Sequence, residues 1–228
     1  MCKITIILFA MTCALSSLTS AQEQASIQFV SFPKAADPEP LELVIGEGET
    51  IKVNVPTNRV SDTYKIPLLS SWVLGKTKED DEGKPQFNVL GKTKALGKSK
   101  QLILVIRNGY TNDKGLKLIA MPNDESKIGG GTFFFMNVSS DYQIAGKVTE
   151  SRFSIKPGNS VVIKPAASKV NGRYKYCEAL LAYRKGDIDR PFYTQTWRLH
   201  EEIRNFIFFY QDPTTKKLKL HIIEDYLP

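Results

Sequence analysis

Residues 101–109 read QLILVIRNG and residues 115–121 read GLKLIAM. Residues 205–213 read NFIFFYQDP and residues 217–223 read KLKLHII. In each case a continuous apolar run is followed, past a turn, by a run that alternates polar and apolar residues, and Leu116-Lys117-Leu118 returns as Leu218-Lys219-Leu220. A continuous apolar run suits a central strand covered on both faces, and strict alternation suits a strand with one buried face. Each pair therefore reads as a hairpin that closes a sheet, and the same closure occurs twice. The repeat extends outward at an offset of about 106 residues, and each unit has about 100 residues, the size of one β-sandwich. Lys84-Pro85 matches Arg190-Pro191, Gly48 with Ile51-x-Val53 matches Gly158 with Val161-x-Ile163, and Tyr64 matches Tyr174.

The remaining segments read as strands as well. Thr50 to Val55 alternates cleanly, and Phe133 to Met136 is a further apolar run. Turn chemistry separates the runs: Gly46-Glu47-Gly48, Asn108-Gly109, Lys156-Pro157-Gly158-Asn159, Asn171-Gly172 and Gln211-Asp212-Pro213. Leu199 to Asn205 is the one stretch with helical character. Three successive glycines, Gly129 to Gly131, follow the polar stretch Pro122 to Ser126 and read as a linker or hinge, because three glycines inside a strand would lose too much backbone entropy. The expected fold is all-β: tandem duplicated antiparallel β-sandwich units of immunoglobulin-like type. The first repeat spans 22–128, the glycine linker 129–131 and the second repeat 132–228.

Residues 1–21 read as an export signal. Lys3 supplies the positive start, Ile4 to Leu15 the apolar run, and Thr19-Ser20-Ala21 the small residues before cleavage. The competing reading, a lipidated Cys13, is preceded by Ala10-Met11-Thr12, which fits a lipobox poorly. Nothing later is long and apolar enough for a transmembrane anchor. The expected location is therefore periplasmic or extracellular. Removing the signal takes Lys3, Cys2 and Cys13 with it, so 30 basic residues face 24 acidic ones and Cys177 is the one thiol left. No intrachain disulfide can then form. Cys177, in a strand-like run, reads as a buried and inert thiol.

The candidate chemistry is sparse. Residues 75–100 carry Lys76, Lys78, Lys84, Lys92, Lys94, Lys98 and Lys100 around Glu79-Asp80-Asp81-Glu82. Gly91 to Ser99 departs from a phosphate-loop pattern, with five residues between the glycines where four are needed. The lysines read instead as a basic loop that guards a strand edge or attracts an anionic polymer. Nucleic acid is disfavoured for an exported chain without a recognition motif. Trp197, His200, Glu201 and Glu202 form the most polar cluster near an aromatic ring. His200-Glu201 begins like a zinc-protease motif, but Arg204 stands where the second histidine belongs. His221 alternates against Leu218, Leu220 and Ile222 and should face solvent with Lys217 and Lys219. Trp72, Tyr64, Trp197, Tyr174 and Tyr193 could form a sugar-stacking platform, with core packing the plainer reading; Tyr64 and Tyr174, at matched places, should share a fold role. Asn137-Val138-Ser139 is a glycosylation sequon.

Phe133 to Ser139, then Ile155-Lys156-Pro157-Gly158, then Tyr174 form a strand–turn–strand skeleton. It resembles that of exported bacterial two-sandwich envelope proteins, such as the accessory proteins of alginate O-acetylation. The resemblance implies paired sandwiches in an envelope setting and carries no site residues. The expected function is an exported, non-enzymatic scaffold or adaptor for an envelope protein or an anionic polysaccharide, with no cofactor and no metal. The alternative is a hydrolase or metal-dependent enzyme centred on the His200-Glu201-Glu202 loop. N-terminal sequencing of the exported protein should begin at Gln22; a chain beginning at a lipidated Cys13 would refute the signal reading.

Overall fold

The computed structural model describes residues 23–34, 40–108, 115–185 and 188–227. The expected signal segment, Cys2, Cys13 and the cleavage point after Ala21 lie outside the described residues, as does Gly109 of the Asn108-Gly109 turn. All regular structure among the described residues is strand. The helical character expected for Leu199 to Asn205 is replaced by a two-residue turn between two strands.

Four sheets stack in sandwich fashion. In the first half one sheet runs β4 (Tyr64–Pro67), β1 (Gln24–Phe32), β7 (Lys100–Arg107), β8 (Leu116–Pro122). Its mate runs β3 (Glu49–Val53), β2 (Leu41–Gly46), β5 (Ser71–Glu79), β6 (Pro85–Lys94). In the second half one sheet runs β12 (Ser160–Ile163), β9 (Phe133–Asn137), β16 (Ile203–Gln211), β17 (Leu218–Tyr226). Its mate runs β11 (Ser151–Ile155), β10 (Gln143–Val148), β14 (Tyr174–Lys185), β15 (Ile188–Leu199), with the short β13 (Lys169–Asn171) beside the start of β14. No ladder among the described residues joins β1–β8 to β9–β17. Exchanging β1–β4 for β9–β12 and β5–β8 for β14–β17 turns one strand order into the other. The sheets are not purely antiparallel: β1 lies parallel to β7, and β9 to β16. Parallel neighbours need a long crossover, and the excursion through the other sheet supplies it in each half.

Strand order corrects two of the sequence matches, and register along the strand corrects a third. Ile51 and Val53 lie on β3, next to β2, whereas Val161 and Ile163 lie on β12, next to β9. Those strands belong to different layers. Tyr64 opens β4, packs edge-on against Phe29 at 5.8 Å, and its hydroxyl accepts from Asn54 N at 2.8 Å. Tyr174 opens β14 and lies under the Arg198 guanidinium at 4.0 Å. The two tyrosines share no role. Pro85 sits opposite Glu79 at the start of β6, and Pro191 opposite Ala182 within β15. Short motifs built from turn glycines and prolines recur wherever strands end, so they match without marking the same position in the fold.

Three apolar cores hold the layers. One lies inside the first sandwich around Phe29, Trp72, Leu74 and Ile103. Another lies inside the second around Phe133, Phe135, Ile207 and Phe209. The third lies between the halves: Val30, Phe32, Leu102 and Leu104 face Phe134, Met136, Phe206, Phe208 and Ile223. The sheets containing β7 and β16 are therefore the inner layers, and the other two the outer ones. Alternate residues of β7 feed two cores, Leu102 and Leu104 one way and Ile103 and Val105 the other, which explains why these runs are apolar throughout. Phe32 is the pivot of the shared core, with ring centroids of Phe208 at 5.4 Å, Tyr210 at 4.7 Å and His221 at 5.2 Å.

The glycine triplet is packed rather than free. A Cβ on Gly130 would stand 1.7 Å from the Glu201 carbonyl oxygen, so only glycine lets the crossing chain lie on the 200–202 turn. Gly131 takes φ +72°, and its N–H donates to Ile203 O at 2.8 Å. Ile128 is buried in the shared core. Arg204 is buried as well, paired through Nε and Nη2 with Asp225 at 2.7 Å and donating to Ile128 O at 3.3 Å. It ties the crossing chain to β16 and β17.

Because the halves share a core, they should unfold as one. Calorimetry should show a single transition, and Phe32→Ala should cost about 3–5 kcal/mol, the usual loss for a large buried ring. Two resolved transitions in the unsubstituted protein would overturn this.

Candidate functional site

The seven lysines do not form one surface. Lys92 and Lys94 pair with Val73 and Ser71 and stand on the outer face of the first half. Lys76 and Lys78 alternate with Gly75 and Thr77 along β5, so they point to the opposite face. Thr77 belongs to the outer face, where its N–H and hydroxyl donate to Glu42 at 3.0 and 2.7 Å. Lys84 sits in the β5–β6 turn, 2.6 Å from Glu82, a turn closed by Asp80 accepting from Glu82 N and Lys84 N. Lys98 lies in the connection to β7, and Lys100 opens that inner strand and meets Glu125 at 3.1 Å. The hairpin spreads these charges over two faces and two layers, which a linear count of lysines cannot reveal.

The cluster around His200 also separates. Trp197 turns inward, stacks on Phe133 with centroids 5.1 Å apart, and donates from Nε1 to Tyr193 Oη at 3.1 Å. His200 Nδ1 accepts from Glu202 N at 3.3 Å within its own turn. Glu201 pairs with Lys175 at 2.9 Å, and that contact holds its carboxyl below the ordinary range. Among the described residues no group of three or more His, Cys, Asp or Glu comes together as a metal site would need. Of the proposed aromatic platform, Trp72 is fully buried and bound through Nε1 to Gln101. Tyr64 and Tyr174 lie on different layers, and Tyr193 and Trp197 remain together at one edge of the second sandwich.

Three further groups are fixed by burial. Asn137 of the sequon is fully buried; its Nδ2 donates to Tyr142 O at 2.7 Å and Ile155 O at 3.1 Å, and its Oδ1 accepts from Ser139 N and Oγ. Both amide N–H bonds are used, so the folded protein offers nothing for a glycan to join. Burial pushes the Cys177 thiol up to about 11, which keeps it protonated. His221 faces the first half rather than solvent. Leu218 and Leu220 do share the other face and pack into the second core, as alternation requires. The His221 face is covered by Phe32 and by Thr57, whose carbonyl takes a hydrogen bond from Nε2 at 2.6 Å. A strand pattern reports that a face is polar, not what stacks on it.

A broad concavity lies on the outer face of the second half. Arg152, Lys147, Leu180 and Thr194 follow one another across β11, β10, β14 and β15, and Ser154, Ala145, Ala182 and Pro191 form the next row. Around the first row is a depression of about 680 Å3 with Glu178, Thr194 and Thr196 among its walls. It adjoins a second of about 400 Å3 over Ala145 and Ala182, and Leu180 and Lys147 border both. Small residues in the centre let the floor sink, and Leu180 stays 47% exposed there. The charges largely cancel: Lys147 lies 3.2 Å from Glu150, and Arg184 makes two 2.8 Å bonds to Asp189. Sequence reasoning passed over this face because it holds no motif; the exposed Leu180 between Ala179 and Leu181 was its one trace.

No protein-family profile matches the chain, and no curated protein matches it at a significant level.

His221 makes the contact between the halves sensitive to pH. Burial lowers its pKa from 6.5, while donation to Thr57 opposes the shift. The unfolded chain therefore binds a proton before the folded one does as pH falls. The contribution is complete above pH 6.5 and is lost as pH drops from there through the folded value. Urea midpoints should fall more steeply from neutral pH to about pH 5 in the unsubstituted protein than in His221→Gln. Parallel profiles would refute the assignment.

Proposed function

We propose that the protein is an exported, non-enzymatic scaffold or adaptor of the cell envelope, and that its second half docks a partner protein on the outer sheet. The observation that carries this reading is the double depression around Leu180: an apolar floor of Leu180, Ala145 and Ala182 with a polar, charge-balanced rim. An apolar centre inside a polar rim is the usual anatomy of a protein-docking patch. Paired ions leave little net field there, which suits a protein surface better than a polyanion. Ile188, 58% exposed at the start of β15, extends the apolar surface. The scattered lysines of 76–100 lend an anionic polysaccharide less support than their number in the sequence suggests.

A photo-crosslinking side chain at Leu180, in protein exported by its native host, should capture a discrete protein. The same group at Thr50, exposed on the first half's outer sheet, should not. Leu180→Arg should abolish copurification of that protein and leave the unfolding midpoint within about 0.5 kcal/mol of the original stability. Failure to capture any protein, together with retention on immobilised polygalacturonate, would transfer the reading to an anionic polysaccharide.

A further inference from the structure

The two sandwiches differ at one edge. The ladders β5–β6 and β14–β15 are each interrupted by one extra residue, Leu90 or Phe192, and this shared irregularity aligns them. Gly91 then corresponds to Tyr193, Thr93 to Gln195, Ala95 to Trp197, and Trp72 to Ala179. In the first half β6 closes on β8, where a Cβ on Gly91 would stand 2.6 Å from the Leu116 carbonyl oxygen. Tyr193 cannot approach β17 in that way. A cleft of about 270 Å3 opens at this edge, lined by Phe133, Tyr193, Gln195, Trp197, Asn205 and Glu224 among others.

Asn205 makes the difference chemical. It holds the register of Gln101: each lies six residues before the residue that pairs with the first leucine of the closing strand. Gln101 is fully buried and saturated by its own chain. Its Oε1 accepts from Trp72 Nε1 at 3.0 Å and Leu96 N at 3.1 Å, and its Nε2 donates to Lys98 O at 2.8 Å. Asn205 is only 8% exposed and shares its strand face with Ile207 and Phe209, which are in the core of the second sandwich. Among the described residues its side-chain amide has no hydrogen-bond partner. The amide is not sealed: Asn123 Oδ1 is the one fully buried side-chain polar atom without a partner among the described residues, whereas the Asn205 amide borders the cleft and is open to partners from an incoming chain.

We propose that this cleft docks an extended peptide segment of a partner protein. Its main-chain N–H and C=O take at Asn205 the places that Leu96 N–H and Lys98 C=O hold at Gln101. The flanking strands favour such an occupant: among the described residues β15 pairs with β14 alone and β17 with β16 alone, so each presents an open edge to an added strand. Trp197, backed by Phe133, supplies an apolar wall for one side chain of the peptide. Arg198 and Glu224 put one charge of each sign on the lining, so recognition rests on the main chain. The site lies on the inward side of β15, opposite the Leu180 face, and does not depend on docking there.

The test uses random peptides displayed on phage, panned on the whole purified chain, followed by calorimetric titration of the enriched sequences. Peptides should bind the unsubstituted protein and Leu180→Arg equally, and Asn205→Leu about ten-fold or more weakly, the loss expected for two main-chain hydrogen bonds. The Asn205 side-chain amide resonances should shift during the titration. If Asn205→Leu does not fold, Asn205→Asp, of the same size and lacking the donor, carries the test. No enrichment over a blank surface, or affinities indifferent to the Asn205 substitution, would overturn the proposal. So would shifts of the Asn205 resonances with hexoses or hexuronates and none with peptides.

Discussion

The fold depends on the contact between its two inner sheets. Phe32 and its neighbours Phe208, Tyr210 and His221 close a core to which both halves contribute. That contact requires strands β7 and β16 to be apolar on both faces, and the chain crossing from β8 to β9 beside it is held by the close approach at Gly130 and by the buried Arg204–Asp225 pair. It also decides which surfaces are free. With two sheet faces consumed by each other, ligands can meet only the outer sheets, the sandwich edges and the end loops.

The halves use one strand order for different ends. At the edge near β6 the first half fills its interior with Trp72 from the outer sheet and satisfies Gln101 with its own backbone. The second half has Ala179 where Trp72 would stand and brings its indole in from β15 as Trp197. Moving one large ring from one strand to its neighbour, and replacing Gly91 by Tyr193, turns a sealed edge into an open one. Packing is dense enough that such an exchange cannot leave the edge unchanged. Functional asymmetry in this protein therefore follows from volume placement rather than from any reactive residue.

Burial also governs the groups that a motif search selects. The sequon asparagine is locked by Tyr142, Ile155 and Ser139, and the lone described thiol sits in the second core with its proton held. The histidine nearest a carboxylate run is spent on its own turn, and the other on Thr57 of the opposite half. For Asn137 and His221 the deciding partners come from distant parts of the chain, the normal condition for buried polarity, whereas His200 is bound within its own turn and Cys177 is held by burial alone.

The all-β character, the central position of β7 and β16 and the closing hairpins were legible because residue periodicity reports directly how many faces of a strand are covered. Leu218, Leu220 and Ile222 were placed on one face by the same rule. The remaining assignments needed three dimensions. Gly48 and Gly158, or Tyr64 and Tyr174, match in sequence and lie in different layers, because turn residues recur at every strand end. The lysines of 76–100 divide between faces because a hairpin folds them back to back. His221 is covered because a second sheet stacks on its strand, and Gly129 to Gly131 are packed because a turn 70 residues away lies against them. The chain's own alternation determined which residues point together; only the stacking of the four sheets decided what they point at.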